Sequence, residues 1–97
     1  MKSHLVKHVK VEDDAGNIIE IKIWQLQVPS PDKPHGYKYR MAYIVDNHRV
    51  IGYDNSEGKG DHRHHREKET AYIFRGIDKL LEDFSKDIER YLRGGKL

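Results

Sequence analysis

The sequence predicts an α+β fold, in which an antiparallel sheet of four to five strands carries one C-terminal helix packed on one face. Apolar and polar residues alternate in several segments of the first half of the chain, as they do in half-buried strands. Near the C-terminus, apolar residues recur every three or four positions, as they do on one side of an amphipathic helix. The 97 residues are enough for one helix on one sheet, so residues 1–97 are predicted to form a single domain.

The first two predicted strands form a hairpin. Apolar and β-branched residues mark the first strand in imperfect alternation: Leu5, Val6, Val9 and Val11. The segment 13–17 supplies turn residues, and either Gly16 or Asn17 can adopt the positive φ that such a loop requires. The second strand is predicted from about Ile18 to Val28, because isoleucines at alternate positions share one face.

A stiff loop separates this hairpin from the third predicted strand, because all three prolines of the chain fall in residues 29–36. The third strand runs from Tyr37 to about Asp46, and its odd-numbered positions, rich in tyrosine, share one face. This stripe predicts half-buried core under the helix, and an RNA-stacking surface is the alternative. Lys38 and Arg40 then lie on the opposite, open side. A turn at residues 46–48 leads into a fourth strand over Arg49–Tyr53.

The segment 61–66 is too polar for its secondary structure to be predicted. If it is extended, alternation places His62, His64 and Arg66 on one side, and Arg63 and His65 on the other. A short fifth strand is predicted at residues 72–74. The clearest element is a helix that ends at residues 94–95, and its apolar stripe consists of Ile77, Leu80, Leu81, Phe84, Ile88, Tyr91 and Leu92.

Composition excludes several classes of protein. The chain has no cysteine, which rules out a disulfide framework, a thiolate nucleophile and a cysteine-based zinc finger. No apolar run approaches the roughly 20 residues of a membrane span, and the N-terminus lacks the apolar core of a signal peptide. A cytoplasmic location without a membrane partner is therefore expected. A formal charge of +2 does not by itself indicate nucleic-acid binding.

Residues 52–66 concentrate the side chains that can carry chemistry. His62 and His64 can supply an acid and a base, because imidazole titrates close to neutral pH. Lys59, Arg63 and Arg66 stand among them and can hold a phosphate group. The pattern therefore indicates chemistry on a phosphodiester.

Further residues complete the predicted site. Tyr53 can stack on a base or donate a proton, and Asp54 can orient a histidine. Asn55, His65 and Arg40 are predicted to contact the substrate. The predicted catalytic residues are therefore His62, His64, Tyr53 and Asp54, and the predicted substrate-binding residues are Lys59, Arg63, Arg66, Asn55, His65 and Arg40.

Two other interpretations stay open. Asp54 and Asn55 followed by glycines are also ordinary turn residues, which would make the segment a purely structural loop. His62 and His64 can both reach a metal ion, with Asp54 or Asp61 completing the shell. No metal ligand and no cofactor is assigned, since the chain has no separate pair of such residues at zinc-finger spacing.

Several segments between about Trp24 and Leu92 form a recognisable combination. They are Val28-Pro29-Ser30-Pro31, His35-Gly36-Tyr37-Lys38-Tyr39-Arg40, Arg49-Val50-Ile51-Gly52-Tyr53-Asp54-Asn55, Gly58-Lys59-Gly60-Asp61-His62-Arg63-His64 and Leu80-Leu81-Glu82-Asp83-Phe84. In these segments the chain resembles the TumE-like toxin family of bacterial and archaeal toxin–antitoxin modules. The resemblance implies a small toxin neutralised by a cognate DNA-binding antitoxin of the helix-turn-helix type.

The predicted function is the toxin of a type II toxin–antitoxin module, acting as a metal-independent ribonuclease through its histidine-rich segment. Without a metal, the nucleophile is the 2′-OH of RNA itself, so RNA is the expected substrate and DNA is not cut. The alternatives are a non-catalytic module that binds RNA or the antitoxin, and a His/Asp metal-binding protein. The sequence leaves open whether the chain is an enzyme, and it allows a homodimer.

Overall fold

The computed structural model describes residues 3–56, 58 and 60–94. In this part of the chain the elements are β1 (Ser3–Glu12), β2 (Ile18–Leu26), β3 (Tyr37–Val45), β4 (His48–Asp54), β5 (His62–His65), β6 (Lys68–Ala71) and α1 (Ile77–Leu92). The antiparallel sheet with one C-terminal helix confirms the predicted α+β class. The predicted number of four to five strands was wrong, because the sheet has six.

The strands form one sheet in chain order, and every neighbouring pair is antiparallel. The β1–β2 loop is held by Asp13, whose Oδ1 atom accepts hydrogen bonds from two backbone N–H groups of the loop, and Gly16 takes the positive φ. The β3–β4 turn uses Asp46 and Asn47 with φ values of 51° and 64°. Two consecutive positive φ values match the twist of a two-residue hairpin loop, so this turn lies where the sequence predicted it.

The last hairpin accounts for the difference in strand number. β5 and β6 are joined by Arg66, which has a φ of 57°, and Glu67. Both strands consist mostly of polar residues, so they lack the apolar alternation that marks a strand in a sequence. Residues 72–74, predicted as a fifth strand, lie outside the strands. Tyr72 and Phe74 pack against the core from this linker, which explains their apolar pattern. β2 also ends at Leu26 rather than Val28.

The core lies between one face of the sheet and α1. Tyr39, Tyr43 and Tyr53 are fully buried there, together with Leu80 and Phe84 of the helix. Burying each such side chain contributes roughly 1.5–3 kcal/mol. The tyrosine stripe of β3 is therefore core, as predicted, rather than an RNA-stacking surface. We refer to this side of the sheet as the helix face.

The opposite side of the sheet, which we refer to as the open face, carries Arg40 of β3 and Asp54 of β4 opposite each other. The helix lies on the helix face, where the hydroxyl of Tyr53 and the guanidinium of Arg63 both contact Asp87 of α1. α1 has 16 residues. Within the described ranges, the chain contains no helix long and apolar enough to cross a membrane.

Candidate functional site

Strand alternation divides the histidine-rich segment between the two faces of the sheet. Asp54 pairs with His62 on the open face, and Tyr53 pairs with Arg63 on the helix face. His64 follows His62 by two residues in β5 and therefore also lies on the open face. The predicted alternation is present over residues 62–65, and it brings the two predicted catalytic histidines to the same side as Asp54.

Asp54, His62 and His64 form a buried group, which we refer to as the histidine cluster. Their exposed fractions are 5 %, 4 % and 7 %. The Nε2 atom of His62 lies 3.2 Å from Oδ1 of Asp54, and the Nε2 atom of His64 lies 3.6 Å from Oδ2 of the same carboxylate. The two imidazole rings are 4.9 Å apart and inclined by 77°. Two imidazoles thus converge on one carboxylate.

A contact with the backbone shows that the Nδ1 atom of His62 carries a hydrogen. Its Nδ1 atom lies 3.1 Å from the carbonyl oxygen of Gly60. A carbonyl oxygen only accepts hydrogen bonds, so Nδ1 carries the hydrogen and donates it. In a neutral imidazole the Nε2 atom then holds a lone pair, which here faces an oxygen of Asp54. Two acceptors that face each other require a proton or a cation between them.

The Nε2 atom of each imidazole lacks a hydrogen bond in the described part of the chain. For residues 3–56, 58 and 60–94, the Nε2 atoms of His62 and His64 are buried without a hydrogen-bond partner. A buried polar atom left without a partner costs about 1–3 kcal/mol, and such atoms are rare in folded proteins. This pair is therefore an unusual feature for a site with only a structural role.

Charged side chains adjoin the cluster. The guanidinium of Arg49 lies 3.9 Å from Oδ2 of Asp54 and is 43 % exposed. The carboxylate of Glu69 lies 3.8 Å from Nε2 of His62 and 4.0 Å from Nδ1 of His64. Burial lowers the pKa of His64, the neighbouring Arg49 and His62 side chains lower it further, and the carboxylates of Asp54 and Glu69 oppose this shift. The net effect favours the neutral form of the His64 imidazole.

The predicted catalytic residue Tyr53 lies apart from the histidine cluster. Its hydroxyl donates a 2.5 Å hydrogen bond to Asp87 of α1, on the helix face. Burial raises the pKa of Tyr53, and the hydrogen bond to Asp87 raises it further, so the phenol stays protonated. Arg63, predicted to bind substrate, donates to both oxygens of the same carboxylate at 2.7 and 2.8 Å. These two residues attach the helix to the sheet.

Two further predicted substrate-binding residues lie on the helix side. Arg66 was predicted to lie on the same side as His62 and His64. Instead it lies in the β5–β6 turn with a positive φ, and its Cζ atom is 5.7 Å from the centroid of the Tyr91 ring. His65 borders an open cleft of about 290 Å³ between the β5–β6 hairpin and α1. The cleft is basic and is lined by Arg63, His65, Lys68, Thr70 and Arg90. A phosphate held there would lie across the sheet from the histidine cluster.

Asn55 has a structural role at the end of β4. It is fully buried, its Oδ1 atom accepts a hydrogen bond from the backbone N–H of Tyr39 at 2.9 Å, and its Nδ2 atom donates to the carbonyl oxygen of Tyr37 at 2.8 Å. Asp61, considered as a metal ligand, accepts hydrogen bonds from Nε2 of His35 at 2.9 Å and from the hydroxyl of Tyr39 at 2.6 Å. These contacts anchor the ends of the loop between β4 and β5.

The remaining predicted residues are Arg40 and Lys59. Arg40 is exposed on the open face and pairs with Asp54 across β3 and β4, so it is the predicted substrate-binding residue that borders the cluster. Lys59 lies outside the described residues. The structure thus brings together His62, His64, Asp54 and Arg40.

Residues that the sequence-based prediction missed also contribute to the site. Arg49 and Glu69 reach the cluster from β4 and β6, and they could be found only by knowing that β5 lies between these strands. Asp87 could have been found from the sequence. It is a charged residue three positions after Phe84, a spacing that places it on the apolar side of the helix. A charge at such a position requires a buried partner, and here Arg63 supplies it.

Comparison with protein families identifies the chain. A family model described as Toxin TumE matches residues 2–92. The chain belongs to the TumE toxin family. Comparisons with curated proteins and with solved structures gave no match. Membership of a TumE toxin family implies an antitoxin partner, and the match spans both the histidine cluster and the helix that buttresses the sheet.

Proposed function

We propose that this toxin cleaves RNA at the histidine cluster and that a cognate helix-turn-helix antitoxin neutralises it. The family supplies the role of toxin, and the geometry of the open face supports the chemistry. One observation carries the proposal: two buried imidazoles beside a buried carboxylate have Nε2 atoms that, in the described part of the chain, lack a hydrogen-bond partner. Such atoms can accept a proton from a substrate once the side chains that cover them move aside.

RNA supplies its own nucleophile for this reaction. The cluster accepts the proton of a 2′-OH group, the O2′–P bond forms, and the P–O5′ bond breaks. The cluster returns a proton to the leaving 5′-oxygen, so the products are a 2′,3′-cyclic phosphate and a 5′-OH end. DNA lacks the 2′-OH and is therefore not a substrate. Proton transfer by positioned side chains contributes about 10²–10⁴-fold to the rate of such a step.

The geometry favours joint action of the two histidines. The sequence suggested that His62 and His64 act separately, as base and acid. Their Nε2 atoms lie 3.2 and 3.6 Å from the two oxygens of one carboxylate, so a proton or charge at one nitrogen is felt by the other. The proposed role of Asp54 is to orient both rings, since its carboxylate lies beside both Nε2 atoms.

Access to the buried cluster involves Arg49. Its side chain crosses Gly52 and reaches within 3.9 Å of Asp54, while nearly half of it stays exposed to solvent. A phosphate on the open face attracts this guanidinium, which forms bidentate contacts with phosphate oxygens. Movement of Arg49 toward the phosphate uncovers the cluster. Arg40 is exposed beside Asp54 and provides a second cation on the same face.

The test is cleavage of a labelled RNA, with an all-deoxy strand of the same sequence as the control substrate. We expect wild-type protein to cut only the RNA and to leave 2′,3′-cyclic phosphate ends, identified by mass spectrometry. The double variant His62→Ala, His64→Ala should lose on the order of 10²–10⁴ in rate. His8→Ala changes an exposed histidine of β1 and is the matched control, with an unchanged rate.

Several outcomes contradict the proposal. Equal cutting of the DNA strand excludes the 2′-OH as nucleophile. Full activity of a folded double variant excludes the histidine cluster as the site. If wild-type protein binds RNA but cuts no RNA under any condition, a non-catalytic binding module replaces the ribonuclease.

A further inference from the structure

The space between the three side chains of the histidine cluster is suited to a cation. We infer that Asp54, His62 and His64 bind one divalent transition-metal ion, through the carboxylate of Asp54 and the Nε2 atoms of the two histidines. This deepens the proposed function, because it names a cofactor for the same site. The binding of the ion itself does not depend on RNA being the substrate. The sequence assigned no metal ligand, so the inference departs from that expectation.

The hydrogen bond of His62 is the first argument. Its Nδ1–H group donates to the carbonyl oxygen of Gly60, so in the neutral imidazole the Nε2 lone pair is directed at Oδ1 of Asp54, 3.2 Å away. Histidines that bind metals commonly donate their other ring N–H to a carbonyl or carboxylate, which fixes the tautomer and the ring orientation. The backbone of the β4–β5 loop provides this second contact for His62.

The distances are the second argument. A tetrahedral ion with nitrogen and oxygen ligands at 2.0–2.2 Å places its ligand atoms about 3.3 Å apart. The pair His62 Nε2 and Asp54 Oδ1 is separated by 3.2 Å, and the pair His64 Nε2 and Asp54 Oδ2 by 3.6 Å. One donor atom from each of the three residues lies within 4.8 Å of the others. The two imidazoles face different oxygens of one carboxylate, so side-chain rotation is needed to bring all three ligands onto one ion.

The positions of the ligands on the sheet are the third argument. His62 and His64 lie on one face of β5 at alternate positions, and Asp54 is the direct cross-strand neighbour of His62 on β4. Strands hold ligands more rigidly than loops do, which favours a preformed site. All three residues are more than nine-tenths buried, so no side-chain entropy of exposed groups is lost on binding.

The donor set indicates the class of ion. Two imidazole nitrogens with one carboxylate suit Zn²⁺ and its first-row neighbours, whereas Mg²⁺ and Ca²⁺ prefer oxygen ligands alone. Three protein ligands leave one position open, as in catalytic rather than structural zinc sites. The carboxylate of Glu69 lies within 4.0 Å of both imidazoles and therefore borders the proposed metal site. A bound ion would supply positive charge and an acidified water next to the scissile phosphate.

Calorimetric titration with Zn²⁺ tests the inference. The protein is prepared without a histidine tag, stripped with EDTA and dialysed. We expect one Zn²⁺ per wild-type chain, and a loss of affinity of on the order of 100-fold in Asp54→Asn and in His64→Ala. The double variant His4→Ala, His8→Ala removes two exposed histidines of β1 and should bind as wild type does. Circular dichroism establishes that each variant is folded.

A second measurement needs only wild-type protein, so it tests the inference even if the variants fold poorly. Co²⁺ replaces Zn²⁺ in wild-type protein and reports its coordination through visible absorption, which is intense for four-coordinate nitrogen and oxygen ligation and faint for the hydrated ion. The faint spectrum of hydrated Co²⁺ in the presence of wild-type protein would overturn the inference. So would equal Zn²⁺ affinity of wild type and a folded Asp54→Asn variant.

The outcomes separate this inference from the proposed ribonuclease. Zinc binding at the cluster without cleavage of any RNA keeps the metal site and removes the ribonuclease. Cleavage of RNA that persists in EDTA, by protein that binds no Zn²⁺, keeps the ribonuclease and removes the metal site. Cleavage that EDTA abolishes and Zn²⁺ restores supports the metal site and the ribonuclease activity, and it transfers the role of base from a free imidazole to a group activated by the ion.

Discussion

Gly52 leaves room for the side chain of Arg49 on the open face of the sheet. A Cβ atom at position 52 would lie 2.8 Å from Cδ and 3.2 Å from Nε of Arg49, and 3.3 Å from the carbonyl oxygen of Met41. Contacts below 3.0 Å force a neighbour to move, and the flexible arginine yields more readily than the backbone. The glycine thus determines where a positive charge lies relative to Asp54.

We expect substitutions at Arg49 and Gly52 to change Zn²⁺ affinity and the rate of RNA cleavage in opposite directions. Arg49→Ala removes a cation 3.9 Å from Asp54, so Zn²⁺ affinity should rise by on the order of threefold to tenfold. The same change removes a phosphate contact, so RNA cleavage should fall. Gly52→Ala displaces Arg49 without removing it and should act in the same two directions.

Titration calorimetry and the RNA assay measure these effects, and the gain in Zn²⁺ affinity should shrink in high salt because Arg49 is partly exposed. Lys10→Ala changes a lysine of β1 and provides the control for a simple loss of positive charge. Weaker Zn²⁺ binding in Arg49→Ala would mean that the guanidinium supports the cluster rather than opposing a cation.

At the level of elements, a buried polar contact supplements the apolar packing of α1. Asp87 is 2 % exposed and receives hydrogen bonds from the hydroxyl of Tyr53 and from the guanidinium of Arg63. These bonds join the helix to β4 and β5, the strands that also carry the histidine cluster on their other face. The helix therefore helps to set the spacing between Asp54 and His62.

Asp87→Ala should lower the free energy of unfolding by about 2–4 kcal/mol, because it leaves the Tyr53 hydroxyl and the Arg63 guanidinium without their acceptor. Urea denaturation measures this change. Glu89→Ala is the matched control, since Glu89 is another helix carboxylate that contacts an arginine, but both partners are exposed. Its cost should stay below about 1 kcal/mol. Similar costs for the two variants would show that the buried contact contributes little.

The sequence predicted the strands that follow apolar alternation and failed where the sheet is built from polar residues. β2, β3, β4 and α1 have the expected apolar patterns, since each contributes side chains to the core. β1 was predicted from its β-branched residues, although its side chains are mostly exposed. β5 and β6 carry ionisable residues on both sides, because one side faces the cluster and the other faces Asp87. Their turn also lacks the Asn-Gly or Asp-Gly pair that marks many hairpins.

For the whole molecule, the two faces of one sheet have different roles. The helix face holds the tyrosine-rich core, and the open face holds the histidine cluster with Arg40 and Arg49. Sequence spacing alone placed His62 and His64 on one side. It could not separate Tyr53 from the site, because the fourth strand was predicted to end at Tyr53, whereas β4 extends to Asp54 and places the two residues on opposite faces. The expected homodimer stays a prediction.

The antitoxin partner provides the last prediction. Membership of the toxin family implies such a partner, and we expect a helix-turn-helix protein encoded beside this gene to fill that role. Co-expression should relieve growth arrest, and the two chains should elute together in size-exclusion chromatography. The double variant His62→Ala, His64→Ala should be harmless alone yet still co-elute, because its buried substitutions leave the exposed surface of the sheet and helix unchanged.

A folded double variant that no longer binds the antitoxin would indicate that the antitoxin reaches into the cluster, for example by inserting an acidic side chain between the imidazoles. A neighbouring protein that neither binds the wild-type toxin nor relieves growth arrest would exclude the helix-turn-helix partner. The same variant is tested for toxicity and for antitoxin binding. A misfolded chain loses both properties, whereas a folded chain without catalytic activity loses only its toxicity.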